Sequence, residues 1–292
     1  MINKIKGNIL FKRLLKRPDI NKAYAMVDKT DSWYNTISTV HNSLKEILML
    51  PHEKLEIVSR DNLKLKGIYY HNNSDITVIC AHGYTSHAER EWAFPGLFYI
   101  SLGYNVLIPY QRAHGLSEGK FISFSALESL DMVTWANKIN QLNKNGKIIF
   151  HGLSMGGQVV INASIYHIEN LKCIICDAPS ESITRLFYNV SKDMFKKNSD
   201  KIALYAIKRF RKEFKVDAKD YNITDTIKKC QYPIILSAGS NENKESLFNI
   251  LKENNPNKTK IIILPGCDHG NGMYKQTNMY QSAIKEFINE NI

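Results

Sequence analysis

The sequence predicts an α/β fold, a mostly parallel central sheet with helices on both faces and an inserted helical cap. Three observations carry this expectation. From about residue 55 onward, short β-branched apolar runs alternate with longer helical stretches. The runs are apolar throughout instead of alternating, as strands covered on both faces must be. Between Asp177 and Tyr232 about 55 residues intervene, too many for a single crossover helix, so that interval reads as an insertion.

Taken in order, residues 1–50 mix apolar and basic positions with few breakers and read as a helical extension that Pro51 closes. Leu55–Ser59 and Leu63–Tyr70 follow as strands around an Asp61-Asn62 turn. Further strands are expected at Ile76–Ala81, Tyr104–Ile108, Lys147–His151, Lys172–Asp177, Tyr232–Ala238 and Lys260–Leu264. Helices are expected at Glu91–Ser101, Ser125–Leu142, Met155–Tyr166, Glu245–Asn254 and Asn278–Asn289. Within the insertion, Lys192–Phe214 reads as one helix with Phe195, Tyr205, Phe210 and Phe214 along it. The chain thus divides into an N-terminal helical extension (1–50), a first core part (51–179), a cap (180–230) and a second core part (231–292). The cap is expected over the carboxyl ends of the strands, where open α/β sheets bind ligands.

Composition narrows the class. The chain has 292 residues, 43% of them hydrophobic, which is enough for a large core and excludes global disorder. No run of about 18 apolar residues marks a membrane span, and Met1–Lys6 is basic without an apolar leader behind it. Five scattered cysteines point to free thiols in a reducing compartment, so a cytoplasmic location is expected. Cys173 and Cys176 have the spacing of a metal pair but sit on a strand run, where residues three apart face opposite ways. No zinc site is expected.

The net charge of +11 is concentrated in two segments. Residues 1–22 hold seven Lys/Arg against one Asp, and 182–231 hold thirteen against six Asp/Glu. Neither contains a nucleic-acid module, so no nucleic-acid partner is expected and the charge reads as a solvated helical surface. Ile2, Ile5 and Ile9 share a helical face beside Lys4, Lys6, Lys12 and Arg13. Weak peripheral contact with an anionic membrane is one reading of that face, and packing on the catalytic domain is the other.

The chemistry gathers in the loops after the strands. Gly152-Leu153-Ser154-Met155-Gly156 lies between a strand run and a helical run, the context in which G-x-S-x-G makes a sharp turn that exposes its serine. The helix start behind Ser154 favours negative charge developing beside it. A serine hydroxyl needs a base, and His269, in the loop after the last strand run, is the candidate. The acid that orients the imidazole is Glu242, alone among acids in the Gly239–Asn243 loop, with Asp177 at the end of the preceding strand as the alternative. Backbone N–H donors for an oxyanion are expected from Met155 and from Tyr84, with Gly83 permitting close approach.

These motifs resemble the α/β-hydrolase superfamily, and within it the capped bacterial serine hydrolases of the serine-aminopeptidase and acyl-esterase branches. The resemblance covers about residues 55–290 and rests on Ala81-His82-Gly83-Tyr84-Thr85, Arg112-Ala113-His114-Gly115-Leu116-Ser117, the Ser154 turn and the His269 loop. Two positions depart from the family pattern: Tyr110 stands where relatives carry Asp, and Glu242 falls where the acid loop carries Asp. The resemblance implies two-step acyl transfer. Ser154 attacks a carbonyl, His269 takes and returns the proton, Met155 and Tyr84 hold the oxyanion, and no metal or organic cofactor takes part. The expected substrate is a small ester or acyl compound. A peptidase, amidase or thioesterase is the alternative, and a ligand-binding protein without catalysis is the alternative of another class.

Overall fold

A computed structural model of the chain describes residues 1–19 and 32–292. The remaining stretch, 20–31, holds part of the N-terminal extension and lies outside the described residues.

The sheet has eight strands: β1 (Glu53–Val58), β2 (Lys64–Tyr70), β3 (Ile76–Ala81), β4 (Asn105–Pro109), β5 (Lys147–Leu153), β6 (Leu171–Asp177), β7 (Ile234–Gly239) and β8 (Thr259–Leu264). Their order is β1-β2-β4-β3-β5-β6-β7-β8. β2 pairs antiparallel with both β1 and β4, and every later pairing is parallel. The burial of the strands follows from this order. The central strands β4 and β7 are buried at every residue, which is why they read as unbroken apolar runs. The edge strand β1 buries only Ile57 and sends Glu53, Lys54 and Glu56 to solvent.

Helices cover both faces. On one, α4 (Glu128–Leu142), α5 (Met155–Ala163) and α9 (Glu245–Asn254) bury Trp135, Val159 and Phe248 against the sheet. On the other, α2 (Ile37–Met49), α3 (Ala88–Ser101) and α11 (Thr277–Asn291) bury Ile47, Trp92, Tyr99 and Phe287. Cys176 belongs to the first core and Cys173 to the second, so the two thiols lie on opposite faces of β6. Two short helices, α8 (Ile223–Thr226) and α10 (Gly272–Lys275), complete the connections around these layers.

A third core lies apart from the sheet. Here α1 (Ile2–Leu15) packs on α6 (Ile183–Phe195) and α7 (Ser199–Phe214), bringing together Phe11, Phe121, Phe187 and Phe210. Gly7 makes the close approach possible, because a Cβ there would collide with Cβ of Tyr205. Past α1 the chain is tied down by backbone bonds from Ile122 to Leu15 (2.7 Å) and from Arg17 to Lys120 (3.0 Å), and by the Arg17 guanidinium on the Ser117 carbonyl (2.7 Å). The single helix expected over Lys192–Phe214 is corrected to two. The chain breaks at Lys196 and Asn198, whose φ values are +48° and +60°, and α7 starts afresh. Those left-handed angles close a helical hairpin that folds α7 back beside α6.

Candidate active site

Ser154 occupies the junction where β5 ends and α5 begins, with φ +59° and ψ −113°. A backbone held there is strained for any residue but glycine, and the surrounding packing enforces it. A Cβ on Gly152 would run into the Gly156 carbonyl, and one on Gly156 into the Ala81 carbonyl. Both glycines of the pentapeptide are therefore required by backbone crossing. The Ser154 N–H donates to the Asp177 carbonyl at 2.8 Å, locking the turn to the end of β6.

His269 and Glu242 meet this serine although they lie far along the chain. His269 Nε2 stands 2.9 Å from Ser154 Oγ, and His269 Nδ1 stands 2.6 Å from Glu242 Oε2. An ionised carboxylate can only accept, so Nδ1 carries the ring proton and Nε2 is left to accept from the serine hydroxyl. The acid is fixed as well as close. Its side chain is only 6% exposed, and its other oxygen accepts the Gly239 N–H at 3.0 Å. The two loops are pressed together at Gly239, where a Cβ would strike the Cys267 carbonyl, and they are joined by the Asn241 N–H on that same carbonyl at 3.0 Å.

Asp177, the alternative acid, is engaged elsewhere. It faces His151 Nε2 at 2.8 Å and accepts from the hydroxyls of Ser237 and Tyr280, each at 2.5 Å. The Tyr99 hydroxyl meets the other nitrogen of His151 at 2.8 Å, closing a buried network behind the site. In this arrangement His269 pairs with Glu242 and Asp177 pairs with His151.

The loop carrying Gly83 and Tyr84 passes directly over the serine, since a Cβ on Gly83 would stand 3.5 Å from Ser154 Cβ. Three groups hold it. Glu91 Oε1 accepts the Gly83 N–H at 2.7 Å. The His82 ring lies 2.9 Å from the Gly83 carbonyl and accepts the Gln111 N–H at 3.1 Å. The Tyr84 hydroxyl donates to the Leu14 carbonyl of α1, and its ring lies 5.6 Å from that of Phe124. Met155 is the first residue of α5, a position whose N–H has no acceptor within its own helix.

Sequence reasoning missed Glu91. It is a partly buried carboxylate beside the cavity, and desolvation pushes it up to about 7, against the pull of bonds from Ser86 and the Gly83 N–H and of the His269 charge. It follows Glu89 and Arg90 directly in α3, where nothing but the fold marks it as facing inward. Burial likewise drives His82 far below its ordinary value and His114 down to about 4, so both imidazoles stay neutral.

A cavity of about 370 Å³ opens on Ser154 and His269. Its lining includes Trp33, just before α2, Ile37 and Val40 in the first turn of α2, and Leu153 and Tyr274, whose ring meets that of Trp33 at 5.5 Å. Among the described residues, the inserted helices contribute nothing to this lining. α6 instead borders a separate hollow of about 320 Å³ on the far side of Glu242, with Arg185, Leu186 and Lys244 around it. The wall contributed by Trp33 had no signal in the sequence, because it lies more than a hundred residues from Ser154.

The strand order, the helices on both faces and a serine on the turn after β5 define an α/β hydrolase. Within that class, residues 72–238 match the serine aminopeptidase S33 family, and the chain belongs to it. The match takes in Gly83, Tyr84 and Ser154 and ends just short of Glu242. The chain is 28% identical over 159 residues to the uncharacterized protein YqkD of Bacillus subtilis, an alignment that spans 52% of this chain and about half (48%) of that relative. Among solved structures, the Pyrococcus furiosus esterase Pf2001 superposes with a TM-score of 0.66 at 24% identity, over 84% of this chain and 93% of that one. An α/β hydrolase of Vibrio vulnificus superposes with a TM-score of 0.64 at 18% identity, over 96% and 92%. Est1E of Butyrivibrio proteoclasticus, with ferulic acid bound, gives 0.61 at 17% identity, over 81% and 98%. At these identities the superpositions speak for the fold alone.

Proposed function

We propose that the protein is a serine hydrolase that cleaves carboxylic esters through an acyl-enzyme on Ser154. The observation that carries the reading is the unbroken chain of contacts from Ser154 Oγ to His269 Nε2, at 2.9 Å, and from His269 Nδ1 to Glu242, at 2.6 Å. As Ser154 attacks the carbonyl carbon, its proton passes to Nε2, and Glu242 stabilises the imidazolium that forms. The N–H groups of Met155 and Tyr84 receive the negative oxygen, and Glu91 keeps the Gly83–Tyr84 backbone in place by accepting from Gly83. His269 then returns the proton to the leaving alcohol, and water attacks the acyl-enzyme by the same route in reverse. Trp33, Ile37, Val40 and Tyr274 offer apolar surface to an acyl or alkyl group, and an ester is favoured because its leaving alcohol needs less help from a proton than an amine does. Five buried free thiols support a cytoplasmic location.

A second reading, cleavage of an amide at an amino-terminal residue, is favoured by the family to which residues 72–238 belong. Hydrolysis of p-nitrophenyl esters of increasing acyl length, set beside aminoacyl p-nitroanilides, separates the two. Ester turnover that vanishes in Ser154→Ala supports the esterase. Anilide turnover alone, lost in the same variant, moves the assignment to the peptidase. No turnover of either by folded protein supports a ligand-binding role.

A further inference from the structure

α1 carries two apolar faces where a helix packed on one side needs only one. Gly7, Leu10, Phe11, Leu14 and Leu15 are buried in the third core. On the opposite side Ile2, Ile5 and Ile9 are 66%, 53% and 50% exposed. Their spacing of three and four residues places them on one stripe. At about 100° per residue, Lys6 and Arg13 border that stripe on one side and Lys12 on the other, while Lys16 continues it past Ile9. No acidic residue occurs before Asp19. The neighbouring helix α7 adds Lys201, Lys208, Arg211 and Lys212 on its own exposed face.

We propose that the outer face of α1 docks on the surface of an anionic lipid bilayer. The three isoleucines enter the boundary between headgroups and acyl chains, and the flanking Lys and Arg meet lipid phosphates. Charge selects this occupant over a second copy of the chain. Two such faces would bring basic residues against basic residues, and three isoleucines fall well short of the roughly 800 Å² per partner that a stable protein interface buries. The inner face stays on α6 and α7 throughout, so docking requires no unfolding. The proposal is independent of the substrate reading.

The test is co-sedimentation of the full chain with phosphatidylcholine vesicles, with and without phosphatidylglycerol. The expected result is at least tenfold more protein pelleted by the anionic vesicles, with the difference shrinking at about 0.5 M salt as charges are screened. The triple variant Ile2→Ser, Ile5→Ser, Ile9→Ser should lose this binding while keeping its circular dichroism, since all three side chains point to solvent. A second variant, Lys6→Gln, Lys12→Gln, Arg13→Gln, leaves the apolar stripe in place and should also lose it. Equal pelleting of wild type and both variants, or no pelleting by anionic vesicles, overturns the proposal. A lipid-free dimer that the isoleucine variant breaks also overturns it, by assigning the face to a second copy.

Discussion

At Glu91 the fold holds an acid that it would rather keep neutral. Its folded value of about 7 lies above the ordinary 4.5, so the native state binds the proton more tightly than the unfolded chain does. The stability this contributes is fully present below about 4.5 and is lost as pH rises through about 7, a difference on the order of 3 kcal/mol. In Glu91→Gln, where an amide oxygen still accepts the Gly83 N–H, unfolding free energy should vary much less between pH 5 and pH 8 than in the wild type. Urea unfolding at the two pH values checks this, and an unchanged slope would remove Glu91 from the account. The glycines of the Ser154 turn give a sharper prediction. Gly156→Ala forces a Cβ into the Ala81 carbonyl, so the midpoint of thermal unfolding should fall by an amount equivalent to about 3 kcal/mol or more. Ser154 and its glycines were legible in the sequence because their constraint is local. Glu91 was not, because its burial is set by a loop and a histidine that arrive from elsewhere.

Among the elements, Arg112 joins β1–β2 to α4. Its guanidinium grips Asp131 through two bonds of 2.7 and 2.8 Å and reaches Asp61 at 2.9 Å. Burial pushes Asp131 up to about 6 even with this partner present. Removing the partner in Arg112→Ala leaves a buried carboxylate unpaired and should cost about 3–5 kcal/mol. The loss should be larger at pH 8 than at pH 5, where Asp131 can take up a proton. Denaturant melts at both values measure it. Tyr110 is held by Glu89, which accepts from its hydroxyl. Gly7 tests a different junction. In Gly7→Leu the new side chain meets Tyr205, so amide hydrogen exchange should accelerate in α1 and leave β3–β6 protected. Strand positions were readable here because burial on both faces leaves an apolar run, as in β4 and β7. β1 began two residues earlier than its apolarity suggested, since Glu53 pairs with Tyr69 by register alone. The break at Lys196–Asn198 escaped notice because neither glycine nor proline marks it.

For the whole molecule, three cores divide the work. Two lie on the faces of the sheet and hold Ser154, Glu242 and His269 at the ends of β5, β7 and β8. The third joins α1 to the inserted helices and reaches the Gly83–Tyr84 loop through the Tyr84 hydroxyl on Leu14. The placing of β4 between β2 and β3 is a matter of the sheet, whereas the strand runs and the loops that carry the candidate triad follow one another along the chain, so they could be read in advance. The cavity could not. Its wall from Trp33, Ile37 and Val40 depends on where α2 comes to rest, which is a matter of long-range packing against α3. Labelling with a fluorophosphonate, with the adduct mapped by mass spectrometry, asks whether Ser154 is a nucleophile activated by His269 and Glu242. A single adduct on Ser154 is expected, slowed by orders of magnitude in His269→Ala and strongly in Glu242→Gln, but far less in Asp177→Asn. Folded protein that takes no label, or takes it on another residue, would contradict it.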